Sequence, residues 1–420
     1  MTKPGYKMTE IGEIPILWQM NSLGELTRIS SGNTAPQDKK YFKNGKYPFI
    51  RVQHLKNLEN GRYPKNFDLI NQEAISELKL KKFKKDSIIF PKSGESIKLE
   101  RRALLRNDSF VANHLAVIDT VGEKINSLFL FYYLSSIRTG DFLSETTMPS
   151  LNLSIIKQFR IPIPPLPEQQ KIAEILSTAD ETIQKVNEEI TLTEKLKKGL
   201  MNTLLTKGIR HTKFKMTEIG EIPEEWEVVK IGDNKVSELV MGQSPPSSSY
   251  NAYADGMPFL QGNADFGEIY PSPSIYCTKP LKLAEKGDIL LSVRAPVGEL
   301  NIAVSKCVIG RGLAAIKCKD NKIHYMYLYY YLKYSANRLR SQSTGSTFKA
   351  VGKDILSHFE ICLPYFEEQQ KIAEILVTVE YKLELLRNKK TYLERIKKGL
   401  MGDLLTGKVR VNINTSEGDN

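Results

Sequence analysis

Two long segments of the chain carry apolar residues at a spacing of seven. The first series is Ile172, Ala179, Val186, Thr193 and Leu200, accompanied four residues on by Leu176, Ile183 and Ile190. The second is Ile372, Val379, Leu386, Leu393 and Leu400, accompanied by Leu376 and Leu383. This heptad pattern predicts two long amphipathic helices with coiled-coil seams. Gly208 and Gly407 predict where the helices end, and about 40 residues at about 1.5 Å each give a rod of roughly 60 Å.

Shorter apolar runs between these segments predict strands and one further helix in each half. In the first half the predicted strands are 47–53, 86–90 and 114–118, followed by a helix at 126–138. In the second half they are 257–261, 288–293 and 313–316, followed by a helix at 324–334. Each half therefore predicts a mixed α/β body, with polar residues in the loops at the strand ends.

The chain contains the same segments twice. Lys7–Pro15 recurs as Lys215–Pro223, and each copy is followed by a tryptophan, Trp18 and Trp226. Within the helical segments Glu168–Leu176 recurs as Glu368–Leu376, residues 197–201 recur as 397–401, and residues 204–206 recur as 404–406. The intervening residues, body 1 (16–166) and body 2 (224–366), differ strongly. A constant frame therefore presents two different globular bodies.

The repeats predict a fold class and a division of the chain. We expect a mixed α/β protein with two globular recognition domains, separated by two long antiparallel coiled-coil helices and related by a pseudo-two-fold axis. The predicted segments are 1–166 and 209–366 for the domains, 167–208 and 367–408 for the helices, and 409–420 for a tail. Because each repeated segment precedes its own body, the start and the end of the chain should meet, which makes the organisation circular. The alternative is that each seam packs only on its own body.

The net charge of the chain predicts a class of binding partner. Lys and Arg number 60 against 48 Asp and Glu, which gives a net charge of +12 and favours a polyanion such as nucleic acid or an anionic membrane surface. The N-terminal residues are polar and no apolar run approaches the roughly 20 residues that cross a bilayer, so we expect a cytoplasmic protein. The four cysteines form no CxxC pair and the histidines are scattered, so we expect reduced thiols and no zinc site.

Corresponding loops of the two bodies offer small, amide and basic side chains that suit DNA. Backbone amides and hydroxyls bind phosphate oxygens, Arg reads guanine, and Gln or Asn reads adenine. The candidate DNA-binding residues are Gly32, Thr34, Arg51, Gln53, His54, Lys92, Ser93, Arg101, Arg102, Asn113, Thr146, Thr147, Gly242, Gln243, Ser244, Gln261, Asn263, Arg294, Arg311, Thr344, Ser346, Thr347 and Lys349. For each of these residues taken alone, a solvated turn or a strand cap remains the alternative.

Sequence motifs of common catalytic sites are missing. The sequence holds no GxxxxGK[ST] loop for a triphosphate, no [DNS]PP[YFW] tetrapeptide for amino-methyl transfer, and no HExxH or GxSxG. The Ser-Pro-Pro at 244–246 is followed by Ser247, not by an aromatic residue. We therefore expect a chain with no catalytic residues of its own, whose chemistry belongs to partners.

The repeated motifs resemble those of specificity subunits of type I restriction-modification systems. They are the proline-rich stretch that leads into Glu-Gln-Gln-Lys-Ile-Ala-Glu-Ile-Leu (Pro162–Leu176), its second copy from Leu363, the Lys-Lys-Gly-Leu-Met helix ends, and the Ile-Gly-Glu-Ile-Pro segments before each tryptophan. The resemblance covers essentially the whole chain. One departure is Leu363-Pro364-Tyr365-Phe366, which replaces the proline-rich lead of the first copy.

The resemblance implies a function and a set of partners. Each recognition domain would read one half of an asymmetric bipartite site in double-stranded DNA, and the helices would set the spacer between the halves. Two modification subunits would use S-adenosylmethionine to methylate adenine, two restriction subunits would use ATP and Mg²⁺, and this chain would bind no cofactor. The alternatives are a coiled-coil adaptor without a DNA role, a chain that is itself a methyltransferase or nuclease, and a subunit of a related two-subunit enzyme.

Overall fold

The computed structural model describes residues 3–138, 150–342 and 350–412. They form two compact units. Unit 1 comprises the chain up to Glu189 together with the residues from Leu386 on, and unit 2 comprises Ile190–Leu385. Within the described residues, no helix is long and apolar enough to cross a membrane.

Unit 1 holds the whole of body 1 and the hairpin that precedes it. Its strands are β1 Tyr6–Thr9, β2 Gly12–Pro15, β3 Gln19–Ser22, β4 Thr27–Ser31, β5 Tyr47–Ile50, β6 Leu58–Glu59, β7 Tyr63–Pro64, β8 Asp68–Ile70, β9 Ile88–Pro91, β10 Ala103–Leu104, β11 Phe110–Val111, β12 Leu115–Thr120 and β13 Arg160–Ile163. Its shorter helices are α1 Leu23–Leu26, α2 Gln72–Glu77, α3 Ser127–Ser136 and α4 Leu153–Lys157, and the long helix α5 (Leu166–Thr206) begins in it.

The central sheet of unit 1 is antiparallel, in the order β10, β9, β12, β4. Its two faces are both buried, because successive side chains of a strand point to opposite sides. Ile88 of β9 and Ile118 of β12 pack with α3 and the start of α5. Ile89 and Val117 pack on the other side, against a smaller sheet in which β5 lies between β11 and β8. The body thus has a helical layer, a central sheet and an outer sheet.

Unit 2 repeats this architecture with other residues. Its strands are β14 Phe214–Thr217, β15 Gly220–Pro223, β16 Glu227–Lys230, β17 Ser237–Met241, β18 Tyr250–Asn251, β19 Met257–Leu260, β20 Ile275–Cys277, β21 Leu283–Ala284, β22 Ile289–Ser292, β23 Leu300–Ile302, β24 Cys307–Ile309, β25 Leu313–Cys318 and β26 Glu360–Leu363. Its helices are α6 Tyr325–Tyr334, α7 Ala336–Ser341, α8 Lys353–Ser357 and the first part of α9 (Phe366–Leu404).

The central sheet of unit 2 runs β17, β25, β22, β23 and is again antiparallel. Leu291 and Ile316 face α6, while Leu290 and Ala315 face the outer sheet, in which β19 pairs in parallel with β24. The predicted central strands and body helices therefore form in both halves, which confirms the mixed α/β class.

The repeated tryptophans and the repeated Glu-Gln motif form one joint between body and helix. In unit 1 the indole nitrogen of Trp18 donates to Glu168 at 3.0 Å, and in unit 2 Trp226 donates to Glu368 at 3.0 Å. Both tryptophans are fully buried. The next residue, Gln169, accepts from the backbone N–H of Asn126 just before α3 and donates to the carbonyl of Lys124. These contacts explain the identity of the buried repeat residues.

Within each unit the two long helices run antiparallel. In unit 1 the Arg410 guanidinium, just beyond α9, makes two hydrogen bonds to Glu168, and Lys397 binds Asp180, so residue numbers fall in one segment as they rise in the other. In unit 2 Lys197 forms the corresponding ion pair with Glu380. Both acids are buried, at positions of the seam that the heptad pattern did not identify.

Burial along the predicted seam is graded. The buried members are Ile172, Leu176, Val186, Thr193, Ile372, Leu376, Leu383 and Leu386, and the half-buried members are Ala179, Ile183, Ile190, Leu200, Val379, Leu393 and Leu400. The members near each helix start also join the core of the adjacent body, together with residues from the end of the other helix. Packing on the body and pairing of the helices therefore occur together.

The first and last described segments of the chain meet in unit 1, as the repeats predict. The Tyr6 hydroxyl donates to the carbonyl of Gly407 at 2.8 Å. Gly407 has a φ of +70°, and a Cβ there would lie 2.4 Å from Pro15 and 3.2 Å from Trp18. Gly208, with a φ of +64°, ends α5 against Trp226 in the same way. Only glycine combines this backbone conformation with so close an approach.

Candidate nucleic-acid interface

The predicted loops of body 1 meet at one end of the central sheet. Because β4 and β9 both run antiparallel to β12, the ends of β4 and β9 lie beside the start of β12, with Ser31 opposite Ala116 and Pro91 opposite Leu115. We call this edge the polar end of body 1. It brings together Gly32 and Thr34 after β4, Lys92 and Ser93 after β9, and Asn113 before β12.

The backbone of this end is tightly connected, and several side chains are left facing solvent. Gly32 N–H donates to Leu115, and a Cβ on Gly32 would lie 2.2 Å from the carbonyl oxygen of Ala112. Thr34 and Asn113 are exposed, and Lys92 is half-buried. The Ser93 hydroxyl lies 2.7 Å from Nδ1 of His114. Arg101, two residues before β10, lies at the same end because β10 is antiparallel to β9.

The polar end of body 2 is built in the same way. Met241 pairs with Ala314 and Ser292 with Leu313, so the loops after β17 and β22 lie beside the start of β25. This places together Gly242, Gln243 and Ser244, then Arg294, and Arg311. Gln243, Arg294 and Arg311 are exposed, and the Ser244 hydroxyl accepts from the backbone N–H of Arg311 at 3.2 Å.

Arg311 is carried by a backbone that fits closely against its neighbour. A Cβ on Gly310 would lie 2.8 Å from Cα of Gln261, and one on Gly312 would lie 2.7 Å from the Gln261 carbonyl oxygen. Gly312 N–H donates to that same carbonyl. The two glycines therefore bring β19 and β25 together and leave the Arg311 and Gln261 side chains exposed. Asn263 follows in a 3₁₀ turn and is half-buried.

Three residues of body 1 that the sequence assigns to DNA, namely Arg51, Arg102 and His54, form hydrogen bonds within the body. The Arg51 Nε donates to Asp68 at 2.6 Å and its terminal nitrogen donates to the carbonyl of Pro36. Arg102 is buried, pairs with Glu100 and donates to the carbonyl of Ile137, and burial lowers its pKa.

His54 is buried as well. Its Nδ1 accepts from the backbone N–H of Arg51 at 3.0 Å, and burial lowers its pKa, so the ring stays neutral. Gln53, 3.3 Å from the His54 ring, is exposed but lies in a 3₁₀ turn, where the sequence predicts a strand. Of this group, Gln53 is the exposed member, and a DNA contact by any of the four residues stays a prediction.

Six candidates fall outside the described residues, namely Thr146, Thr147, Thr344, Ser346, Thr347 and Lys349. Their described neighbours belong to the polar ends, because Ser150 bridges to Ser93 and Ala350 bridges to Arg294. Sequence reasoning left out two further polar residues at the end of body 1, His114 and Lys81. His114 contacts Ser93, and Lys81 reaches the Ser30 hydroxyl at 3.3 Å. The available sequence signal for His114 was its place at the start of the predicted strand 114–118, directly after the candidate Asn113.

The described residues contain no group of three or more His, Cys, Asp or Glu side chains that could hold a metal ion. The cysteines are free, and burial raises the pKa of Cys307 and of Cys318 to about 12. Thiols with such pKa values are not nucleophiles at neutral pH. The described residues of the polar ends offer cations, amides and hydroxyls, which suit binding to DNA.

Comparison with known proteins assigns the family. The model of the type I restriction modification DNA specificity domain matches residues 15–194 and again residues 223–395. Two Methanocaldococcus jannaschii proteins are similar along their length. The type I restriction enzyme MjaX specificity subunit is 40% identical over 417 residues, with 97% of each chain covered. The MjaVIII specificity subunit is 29% identical, with 96% of this chain and 95% of the relative covered.

Two solved structures are also similar to this chain over most of its length. A chain from a study of complex assembly and conformational transition of the type I R-M system has a TM-score of 0.56 at 28% identity, over 94% of this chain and 99% of that one. The S subunit of a type I restriction-modification system from M. genitalium has a TM-score of 0.60 at 16% identity, over 98% and 100%, and so supports the fold alone. The protein therefore belongs to the type I restriction-modification DNA specificity family and carries two copies of that family's domain.

Proposed function

We propose that this chain is the non-catalytic subunit that selects the DNA site of a type I restriction-modification complex. Each body reads one half of an asymmetric bipartite site, and α5 and α9 set the unspecified spacer. The chain binds two modification subunits, which methylate adenine, and two restriction subunits. It works in the cytoplasm, where the DNA is.

One observation carries the DNA-reading role. In both units, loops that are far apart in sequence bring exposed cations and amides to the same end of an antiparallel sheet. Gln243, Arg294 and Arg311 of unit 2 are separated by 51 and 17 residues in sequence but belong to one polar end. Arginine and amide side chains beside exposed backbone amides are the groups that read base edges and hold phosphates. The bodies differ in sequence at this end, as two readers of different half-sites would.

Exposed apolar residues on the long helices support the docking of partner subunits there. Within unit 2, α9 exposes Val377, Tyr381 and Leu385, whose four-residue spacing places them on one face. The part of α5 in the same unit exposes Leu192 and Leu196. An exposed apolar stripe on a helix is typical of a surface that another protein covers.

In this proposal the partner subunits catalyse the reactions of the complex. Among the described residues we find no cluster of metal ligands, and the chain holds none of the nucleotide-binding or amino-methyl-transfer motifs sought in the sequence. In the proposed complex the modification subunits use S-adenosylmethionine, and the restriction subunits use ATP with Mg²⁺.

Base-resolved mapping of N6-methyladenine in host DNA tests the proposal. The genome is sequenced with and without the gene for this chain, while expression of the modification subunit is verified in both strains. We expect deletion to remove one bipartite motif that is methylated on both strands. An unchanged methylation map would refute the proposal and favour a coiled-coil adaptor. Methylation that depends on one fused methylation-restriction partner would identify the related two-subunit enzyme.

A further inference from the structure

Each unit carries a small hairpin that is nearly identical to its counterpart. In unit 1, β1 and β2 pair with Met8 opposite Glu13, and in unit 2, β14 and β15 pair with Met216 opposite Glu221. Nine consecutive residues are the same in both copies, Lys7–Pro15 and Lys215–Pro223. The bodies that follow have diverged, so the identity of the hairpins needs a physical cause.

Folding explains part of this identity. The Lys7 and Lys215 amines donate to the backbone carbonyls nine residues on, and the Thr9 and Thr217 hydroxyls donate across the turn to the glycine carbonyls. Those glycines, Gly12 and Gly220, have φ values of +108° and +116°. The Ile-Pro pairs that end both hairpins are buried. Five of the nine positions therefore have a structural role in both copies.

The remaining four positions have no such role in common. They are Met8, Glu10, Ile11 and Glu13 in the first hairpin and Met216, Glu218, Ile219 and Glu221 in the second. Met8 is 65% exposed and Met216 is 78% exposed. Ile11 is 45% exposed, whereas Ile219 is half-buried against the core of unit 2. A methionine opposite a glutamate on an exposed strand gains little from the pairing.

The one ion pair in this group does not explain the identity either. Glu10 pairs with Arg160 of β13 at 2.5 Å. The corresponding residue of β26 is Glu360, which cannot pair with Glu218. Glu218 is thus kept as glutamate without the contact that holds its counterpart.

We propose that the two hairpins are docking sites for two copies of the same protein, the modification subunit, with one copy bound at each hairpin. The methionine side chains would enter an apolar pocket of that subunit, and basic residues beside the pocket would face the two glutamates. Identical exposed side chains on two differing bodies fit a partner that is itself identical at both places. Methionine suits such contacts because its flexible, polarisable side chain adapts to an apolar pocket.

The choice of partner rests on the proposed function. Two half-sites, each modified by its own methyltransferase, require that enzyme to be held equivalently beside each body. DNA cannot be the occupant, because the exposed charges of the hairpins are mainly carboxylates that phosphates repel.

The test uses the full-length chain and the purified cognate modification subunit, with native mass spectrometry for stoichiometry and titration for affinity. The variants are Met8→Glu, Met216→Glu and the double variant. Leu69→Glu and Leu281→Glu, at apolar positions that are 44% and 48% exposed outside the repeats, are the matched controls. We expect each single variant to weaken one of the two binding events by about tenfold or more, and the double variant to weaken both. The controls should bind two subunits as the unaltered chain does.

A second pair of changes, Glu13→Gln with Glu221→Gln, keeps the shape of the hairpins and removes only charge. It should weaken both events and make them less sensitive to salt, so it serves even where the methionine variants fold poorly. Two subunits bound with unaltered affinity in both double variants would overturn the inference. Normal methylation of the bipartite site in that case would leave the proposed function intact, whereas absence of that methylation with the unaltered chain would refute the proposed function itself.

Discussion

Arg294 and Arg311 give the sharpest test of where body 2 contacts DNA. Both are exposed at its polar end, in contrast to Arg51 and Arg102 of body 1, which are held by carboxylates. An arginine that reads a guanine edge contributes about 1–3 kcal/mol, which corresponds to a loss of about 5- to 150-fold in affinity on truncation to alanine. An arginine that binds a phosphate instead reduces the slope of log K against log salt by about 0.9.

The assay is fluorescence anisotropy of the assembled complex on its methylated motif, at several salt concentrations. The variants are Arg294→Ala, Arg311→Ala and the double variant. The control is Lys319→Ala, which removes an exposed cation just beyond the other end of β25. Oligonucleotides with single changes in each half-site then show which half is affected. The reasoning is refuted if the double variant binds within twofold of the unaltered complex, or if its loss extends equally to both half-sites.

Three further predictions concern the frame and the second body. Adding one matched heptad to α5 (within 177–195) and to α9 should lengthen the recognised spacer by about three base pairs or abolish activity, since seven helical residues rise about 10 Å; methylation mapping that showed altered half-sites would count against this. Asp288→Asn should stabilise unit 2 at pH 7 by up to about 3 kcal/mol, because burial raises the pKa of Asp288 from 3.8 to about 6. The stability that protonated Asp288 contributes is complete below pH 4 and is lost as pH rises through 6. The variant should not show this loss when hydrogen exchange of β22 in urea is measured between pH 4 and 7. A loss of stability that persists in the variant would contradict the assignment to Asp288. Arg410→Ala should destabilise unit 1 by about 1–3 kcal/mol, because it leaves the fully buried Glu168 without its cation, and Glu168→Gln in the same chain should recover much of the loss; urea unfolding that showed no recovery would argue against a buried charge as the cause.

The long helices and the repeated frame could be predicted from sequence because their signals are local or recur within the chain. The heptad series and the glycines at 208 and 407 place α5 and α9 to within a few residues of their bounds in the structure. The central strands were also predictable, since buried strands of this kind are continuous apolar runs. The candidate DNA loops could be chosen as a group, because polar loops at corresponding places in two bodies are a repeated signal.

The fate of single side chains could not be predicted. The sequence gives no sign that Arg51 pairs with Asp68, 17 residues away. The two side chains meet because β5 pairs with β8. Arg102 is withdrawn from solvent by the β9–β10 pairing and by the carboxylate of Glu100. Sequence patterns show which faces are buried, but they do not show which charge will find a partner across a sheet, because that depends on register.

The glutamines at the start of the long helices have a consequence for how this chain can change. Gln169 accepts from the N–H of Asn126 and donates to the carbonyl of Lys124, and Gln369 makes the same bonds with His324 and Lys322. On the side of the body, every one of these bonds ends on main-chain atoms, so Asn126 and His324 serve equally well. A body of unrelated sequence can be grafted onto the same helix if its fold leaves those two backbone groups in place. A replaced body therefore keeps this part of the joint without a change in the helix, whereas the hydrogen bonds from Tyr132 to Asp180 and from Arg62 to Ser177 depend on side chains of body 1 itself.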